Sequence, residues 1–274
     1  MGAERMPGGG ACNPYDEAMT IDAATGLQFK QPPIRQVTLT LHFSSDAPVG
    51  PHAVAPLSQR WGHDYPVVTE RPPLPGREDA GPVSFLSHSE AWPMPYTTYQ
   101  GSDRALSFQG DRFEVTWSFH DAGNPSYPGF EELLAGMRTS FSDFSDTLAK
   151  HQIGLQIQAV ECYYVNEIAS VTAGELAVGI LTGWNMAPPE VERAEQYVGV
   201  RLQREASEES PYSSLVMVDS NQDGDPLLAL RLSRGVDLQH GNAFDALQEV
   251  HEELVAQFLI HTSEEMHRQW GKTS

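Results

Sequence analysis

Val37, Leu39, Leu41 and Phe43 alternate with Gln36, Thr38, Thr40 and His42, and a period of two marks a strand with one apolar and one polar face. Pro32 and Pro33 mark its start. The same alternation returns in Ala105-Leu106-Ser107-Phe108-Gln109 and in Arg112-Phe113-Glu114-Val115-Thr116-Trp117-Ser118-Phe119, which flank Gly110-Asp111 and predict a hairpin. Beyond it the period lengthens. Phe130, Leu133, Leu134, Met137, Phe141, Phe144 and Leu148 recur every three or four residues, the stripe of an amphipathic helix. Pro128 suits its first turn, Asn124 or Ser126 its cap, and Gly154 closes it.

Residues 159–168 read AVECYYVNEI, a further strand. Ala159, Glu161, Tyr163 and Val165 point to one side of it, and Val160, Cys162, Tyr164 and Asn166 to the other. Residues 197–202 predict a strand, and 213–218 and 227–232 the arms of a hairpin around 219–225. A last helix spans about residues 242–269, with Phe244, Leu247, His251, Leu254, Phe258 and His261 or Thr262 on one stripe. Residues 52–63 suit a short helix, the Pro-rich stretch 67–95 a long connection with extended pieces, and 174–183 show no clear pattern. Strand, hairpin and long helix thus occur twice. The expected fold is α+β: two related halves, 31–172 and 173–274, each an antiparallel sheet with a long covering helix, after a disordered arm over 1–30.

Composition narrows function mainly by exclusion. Of 274 residues, 37 are acidic and 17 basic, a formal charge of −20, and no run of Lys or Arg is present. Nucleic-acid binding and docking to an anionic membrane are therefore not expected, because both need a basic face. Two cysteines cannot build a disulfide framework, and no apolar run approaches a membrane span. The first residues lack a basic stretch followed by an apolar one, so the cytoplasm is the expected location.

The candidate chemistry is sparse. Cys162 falls on the apolar side of its strand, where a thiol is inert. DSNQDG, from Asp219 to Gly224, opens like a calcium loop, but Leu230 stands where the bidentate Glu belongs, so a plain turn is expected. His251-Glu252-Glu253 is not a zinc motif, since Val255 occupies the second His position, and no metal site or cofactor is expected. Phosphate-loop, dinucleotide and nucleophile-elbow signatures are absent. What remains is a set of polar groups on structured elements: Glu161, Tyr163, Asn166 and His251.

Several stretches together carry a resemblance. PPIRQVTLTLHF, WGHDYP, FQGDRFEVTW followed by Tyr127-Pro128, YYVNEI, and His251, Phe258 and Trp270 along the last helix resemble a sporadically distributed bacterial family of uncharacterised proteins, over roughly residues 32–271. The family usually has Glu where this chain has Gln36. The resemblance implies an accessory role, such as defence or toxin control, and assigns no catalytic residue. The leading expectation is a non-catalytic binding or regulatory protein that recognises a partner protein or a small ligand, with homo-oligomerisation left open. The alternative is a small-molecule enzyme using His251, Tyr163 and Glu161 as acid–base groups in a cleft between the halves. Acidic mimicry of nucleic acid ranks last, since the carboxylates form no dense stripe.

Overall fold

The structure, a computed structural model, describes residues 20–21, 28–44, 49–75, 94–119, 127–185, 199–220, 224–237 and 242–273. In chain order, β1 (Thr20–Ile21) and β2 (Gln28–Phe29) precede the long strand β3 (Ile34–Phe43). Two short helices, α1 (Pro51–Val54) and α2 (Leu57–Trp61), lead to a meander of β4 (Val67–Arg71), β5 (Tyr96–Gln100), β6 (Arg104–Gln109) and β7 (Arg112–Ser118). The helix α3 (Phe130–Ala149) follows, then β8 (Ile157–Glu167), α4 (Ala173–Thr182) and a second meander of β9 (Val200–Arg204), β10 (Tyr212–Ser220) and β11 (Pro226–Gly235). The chain ends with α5 (Ala243–His261), α6 (Glu264–Gln269) and β12 (Lys272–Thr273).

Among the described residues, nine strands form one antiparallel sheet in the order β4-β5-β6-β7-β3-β8-β11-β10-β9. The fold is α+β, as expected, but a separate sheet in each half is not found. The reason lies at the centre. β3 and β8 pair with each other along nearly their whole length, from Ile34↔Asn166 to Phe43↔Ile157, and each takes the last strand of its own meander on the other side. Alternation marks which side of a strand is apolar; it does not say which strands become neighbours.

One side of this sheet carries the helices. Val37, Leu39 and Leu41 of β3, Phe113 and Trp117 of β7, Val160, Cys162 and Tyr164 of β8 and Leu228, Leu230 and Leu232 of β11 all join one apolar core. The helices α3 and α5 supply Leu133, Met137, Phe144, Leu148, Leu247, Val250 and Leu254 from above. Each of the largest of these side chains stabilises the fold by about 2 kcal/mol through the area it buries.

Three local findings refine the elements. Residues 174–183, without a clear pattern in sequence, lie in and just after α4, whose start is a capping box between Thr172 and Glu175. Its buried apolar residues Ala173, Leu176, Ala177 and Ile180 form one stripe, but Val178 and the exposed Leu181 lie outside it and blur the pattern. Gly183 ends it at φ +61°, and Gly179 allows the Trp184 ring to pack so close that an added Cβ would lie 2.4 Å from it. The last helix breaks at Thr262-Ser263. Thr262 is extended there, its hydroxyl donates to Phe258 O at 2.7 Å and lies 2.7 Å from His267 Nε2, and Ser263 caps α6. Most of the expected arm over 1–30 lies outside the described residues, but β2 pairs with β1 on one side and with β12 on the other in a small three-stranded sheet.

Candidate functional site

The second side of the large sheet is polar and, unusually, buried. A solvated sheet face leaves its polar residues in water, yet Thr40 is 2% exposed and Ser107 3%. Register explains what meets there. Thr98, Ser107, Glu114, Thr40, Glu161 and Ser233 sit opposite one another in one row across six strands, β5-β6-β7-β3-β8-β11. With strands about 4.8 Å apart, the backbones of Glu114 and Glu161 lie about 10 Å apart on either side of Thr40. The adjacent row holds Gln109, Arg112, His42, Ala159 and Gly235, so His42 has a guanidinium on one flank and two residues of little bulk on the other. The row on the other side holds Thr116, Thr38, Tyr163 and Arg231.

Several of these groups hold one another. Arg112 donates from Nε to Asp111 Oδ1 at 3.0 Å and from Nη2 to Asp111 Oδ2 at 3.1 Å and Pro75 O at 2.7 Å. Gln109 donates to Asp111 Oδ1 and Leu74 O and accepts from Leu74 N, so the chain leaving β4 is tied across this end of the face. Tyr96 donates its hydroxyl to Glu114 Oε2 at 2.6 Å, and Arg112 Nη1 lies 4.0 Å from Glu114 Oε1. Thr38 and Thr116 share a hydroxyl hydrogen bond at 3.0 Å, and Thr98 and Ser107 another at 2.9 Å.

Electrostatics separates the carboxylates. Burial pushes Glu114 above the usual carboxylate range, reinforced by Glu161 and opposed by the Tyr96 hydrogen bond, Arg112 and His42. Burial alone would raise Asp111 too, but the Arg112 and Gln109 hydrogen bonds and the Arg112 charge outweigh it and hold that carboxyl below its ordinary value. Tyr96 and Tyr163 are both pushed up, chiefly by burial. Glu161 lies 3.8 Å from His42 Nε2 and 3.9 Å from Arg231 Nε.

His42 itself is the anomaly. Its side chain is only 9% exposed, and neither ring nitrogen has a hydrogen-bond partner among the described residues. A buried polar nitrogen without a partner costs about 1–3 kcal/mol, so such groups are rare in folded proteins.

The four residues singled out in sequence fall on opposite sides of the sheet. Glu161 and Tyr163 belong to the polar face, where Glu161 occupies its centre. Asn166 and His251 lie on the helix side. Asn166 donates to Leu228 O at 3.2 Å within the core. His251 stacks flat on Phe130, ring centroids 3.8 Å apart, with Nδ1 3.0 Å from the Tyr164 hydroxyl, which in turn lies 3.1 Å from the Tyr127 hydroxyl. His251, Tyr163 and Glu161 therefore do not converge. Cys162 shares the helix side, fully buried with its thiol pushed up by burial and 3.8 Å from Leu247 O. The 219–225 turn lies partly outside the described residues.

His42, Glu114, Arg112, Tyr96 and Arg231 were not picked out in sequence. They occupy the polar positions of alternating strands, which ordinarily face water. The available signal was the kind of residue: Glu, His and Arg at in-register positions of central strands are costly unless something meets them. Among the described residues no group of three or more His, Cys, Asp or Glu is placed to hold a metal ion, and no helix is long and apolar enough to cross a membrane.

No protein-family model matches this chain, and no curated protein matches it. Among solved structures, the chain is similar to the di-domain ARO/CYC StfQ from the steffimycin biosynthetic pathway, at 10% identity and a TM-score of 0.24, over 86% of this chain and 97% of that one.

Proposed function

We propose that this protein binds a small polar ligand on the buried polar face of its sheet. The observation that carries the reading is His42, a nine-tenths-buried imidazole whose two nitrogens have no hydrogen-bond partner among the described residues, set 3.8 Å from Glu161, in the row next to Glu114 and Glu161, and beside Ala159 and Gly235. A ligand that hydrogen-bonds to it removes the cost of leaving it bare. Exposure rises from Thr40 through Tyr163 to Arg231, whose side chain is 44% exposed, so the β8–β11 side is the route of access.

The accessory, cytosolic role implied by the family resemblance belongs to the same proposal, with ligand occupancy as the signal that a partner protein reads. So does a relationship between the halves. What supports it is the order of elements on either side of the connection from α3 to β8: central strand, short helical segment, meander returning from the sheet edge, then long helix. A second reading, acid–base catalysis on the same face, is favoured by the unequal settings of Glu114 and Glu161.

Native mass spectrometry of the chain purified from its source cells tests the binding reading. The expected result is a retained small molecule that gentle activation releases, present in the wild type and absent from His42→Leu. Bare chains in both preparations would overturn it.

A further inference from the structure

The charges around His42 do not cancel, and this points to the ligand's class. Asp111, Glu114 and Glu161 contribute three carboxylates, and Arg112 and Arg231 two guanidinium groups. With His42 neutral, one negative charge is left over. Arg112 is already engaged by Asp111 and Pro75 O, and Arg71, opposite Tyr96 on the edge strand, is exposed to solvent. The hydrogen-bonding inventory has the same bias. Carboxylates only accept when ionised, a neutral imidazole offers one acceptor, and Thr38, Thr40, Thr116 and Ser107 offer hydroxyls that accept as readily as they donate.

We propose that the polar face binds a small primary ammonium compound, with the ammonium group between Glu114 and Glu161 above Thr40 and one N–H donated to His42. The inference rests on the ligand-binding reading above. An ammonium group has three donors and no acceptor, which matches two carboxylates and one imidazole nitrogen. Glu114 and Glu161 flank Thr40 in register, so both side chains rise from the same face of the sheet on either side of it. A carboxylate ligand would place a fourth negative charge beside Glu114 and Glu161. A neutral polyol would leave the excess charge uncompensated.

Protonation sharpens the distinction. The groups facing Glu114 are Tyr96 from β5, Arg112 from β7, His42 from β3 and Glu161 from β8. Because burial favours the neutral form of Glu114, a proton and an ammonium ion compete for it. Ammonium binding therefore strengthens as pH rises through the elevated Glu114 titration. The alkylammonium itself keeps its proton to about pH 9.

A matched set of two-carbon probes tests this: ethanolamine, ethylene glycol and glycolate, titrated into the full chain and followed by 15N-resolved NMR of residues 38–42, 112–116 and 159–163. Ethanolamine is expected to shift these signals at the lowest concentration, with an affinity that rises from pH 5 to pH 8. Glu114→Gln is expected to weaken ethanolamine about tenfold and flatten its pH dependence, from the loss of one charge-assisted contact. Glycol or glycolate binding to these residues in preference to ethanolamine overturns the ammonium assignment and leaves ligand binding standing. If none of the three moves these signals, both readings fall. The wild-type titration decides this even if the Gln variant folds poorly.

Discussion

Two buried histidines lie on opposite sides of one sheet, and they differ in their surroundings and in their hydrogen bonds. His251 is buried among apolar groups, stacked on Phe130 and hydrogen-bonded to Tyr164. His42 is buried among polar groups and bonded to nothing among the described residues. Burial therefore does not separate structure from function here; satisfaction does. A polar core group whose bonds are made specifies packing, whereas one whose bonds are unmade keeps its capacity for another molecule.

The strongest way to break the comparison is to truncate the satisfied partner. His251→Ala removes a ring stacked in the core and one of the partners of the Tyr164 hydroxyl, and it is expected to cost about 3 kcal/mol in urea-induced unfolding. Tyr164→Phe keeps the ring but deletes the hydroxyl between Tyr127 and His251, and about 1–2 kcal/mol is expected in the same assay. If neither moves the midpoint, the bonds on the helix side contribute nothing, and the distinction between the two histidines dissolves.

Much of the helix side was readable in sequence, because burial there has a period. Phe130 through Leu148 and Phe244 through Phe258 repeat at helical spacing, and β3, β6 and β7 alternate. Neighbours were not readable. The pairing of Thr40 with both Glu114 and Glu161 joins residues 74 and 121 positions away, and no local pattern encodes it. Glu161 was picked for its residue type and does lie at the centre of the polar face, whereas His251 was picked for its place on an apolar stripe and lies in the core. The helix break at Thr262 was equally hidden, since Phe258, Thr262 and Met266, four residues apart, continue a helical stripe across it.

A smaller effect sharpens the comparison through pH. The folded Glu114 titrates above its unfolded value, so its stability contribution is fully present below the unfolded value, near pH 4.5, and is lost as pH rises through the folded one. Glu114→Gln keeps the shape and a group able to meet Tyr96, without the charge. The variant is expected to match the wild type in acid and to gain on it as pH rises toward neutrality, read as the difference in unfolding midpoint. Asp111 has the opposite sign. Its folded value is depressed, so its contribution is present at neutral pH and fades as pH falls through that value, and Asp111→Asn should lose stability at pH 7 but not in strong acid.

The smallest expected change is the most telling. His42→Leu exchanges an imidazole that makes no hydrogen bond among the described residues for an apolar side chain of similar size, so no bond to them is broken and a desolvated polar group is removed. Unfolding should be unchanged or shifted toward greater stability by up to about 1 kcal/mol, opposite in sign to His251→Ala. A cost of 2 kcal/mol or more at neutral pH would mean that His42 is bonded in solution. The two faces would then be alike, and the reason to place a ligand beside His42 would be gone.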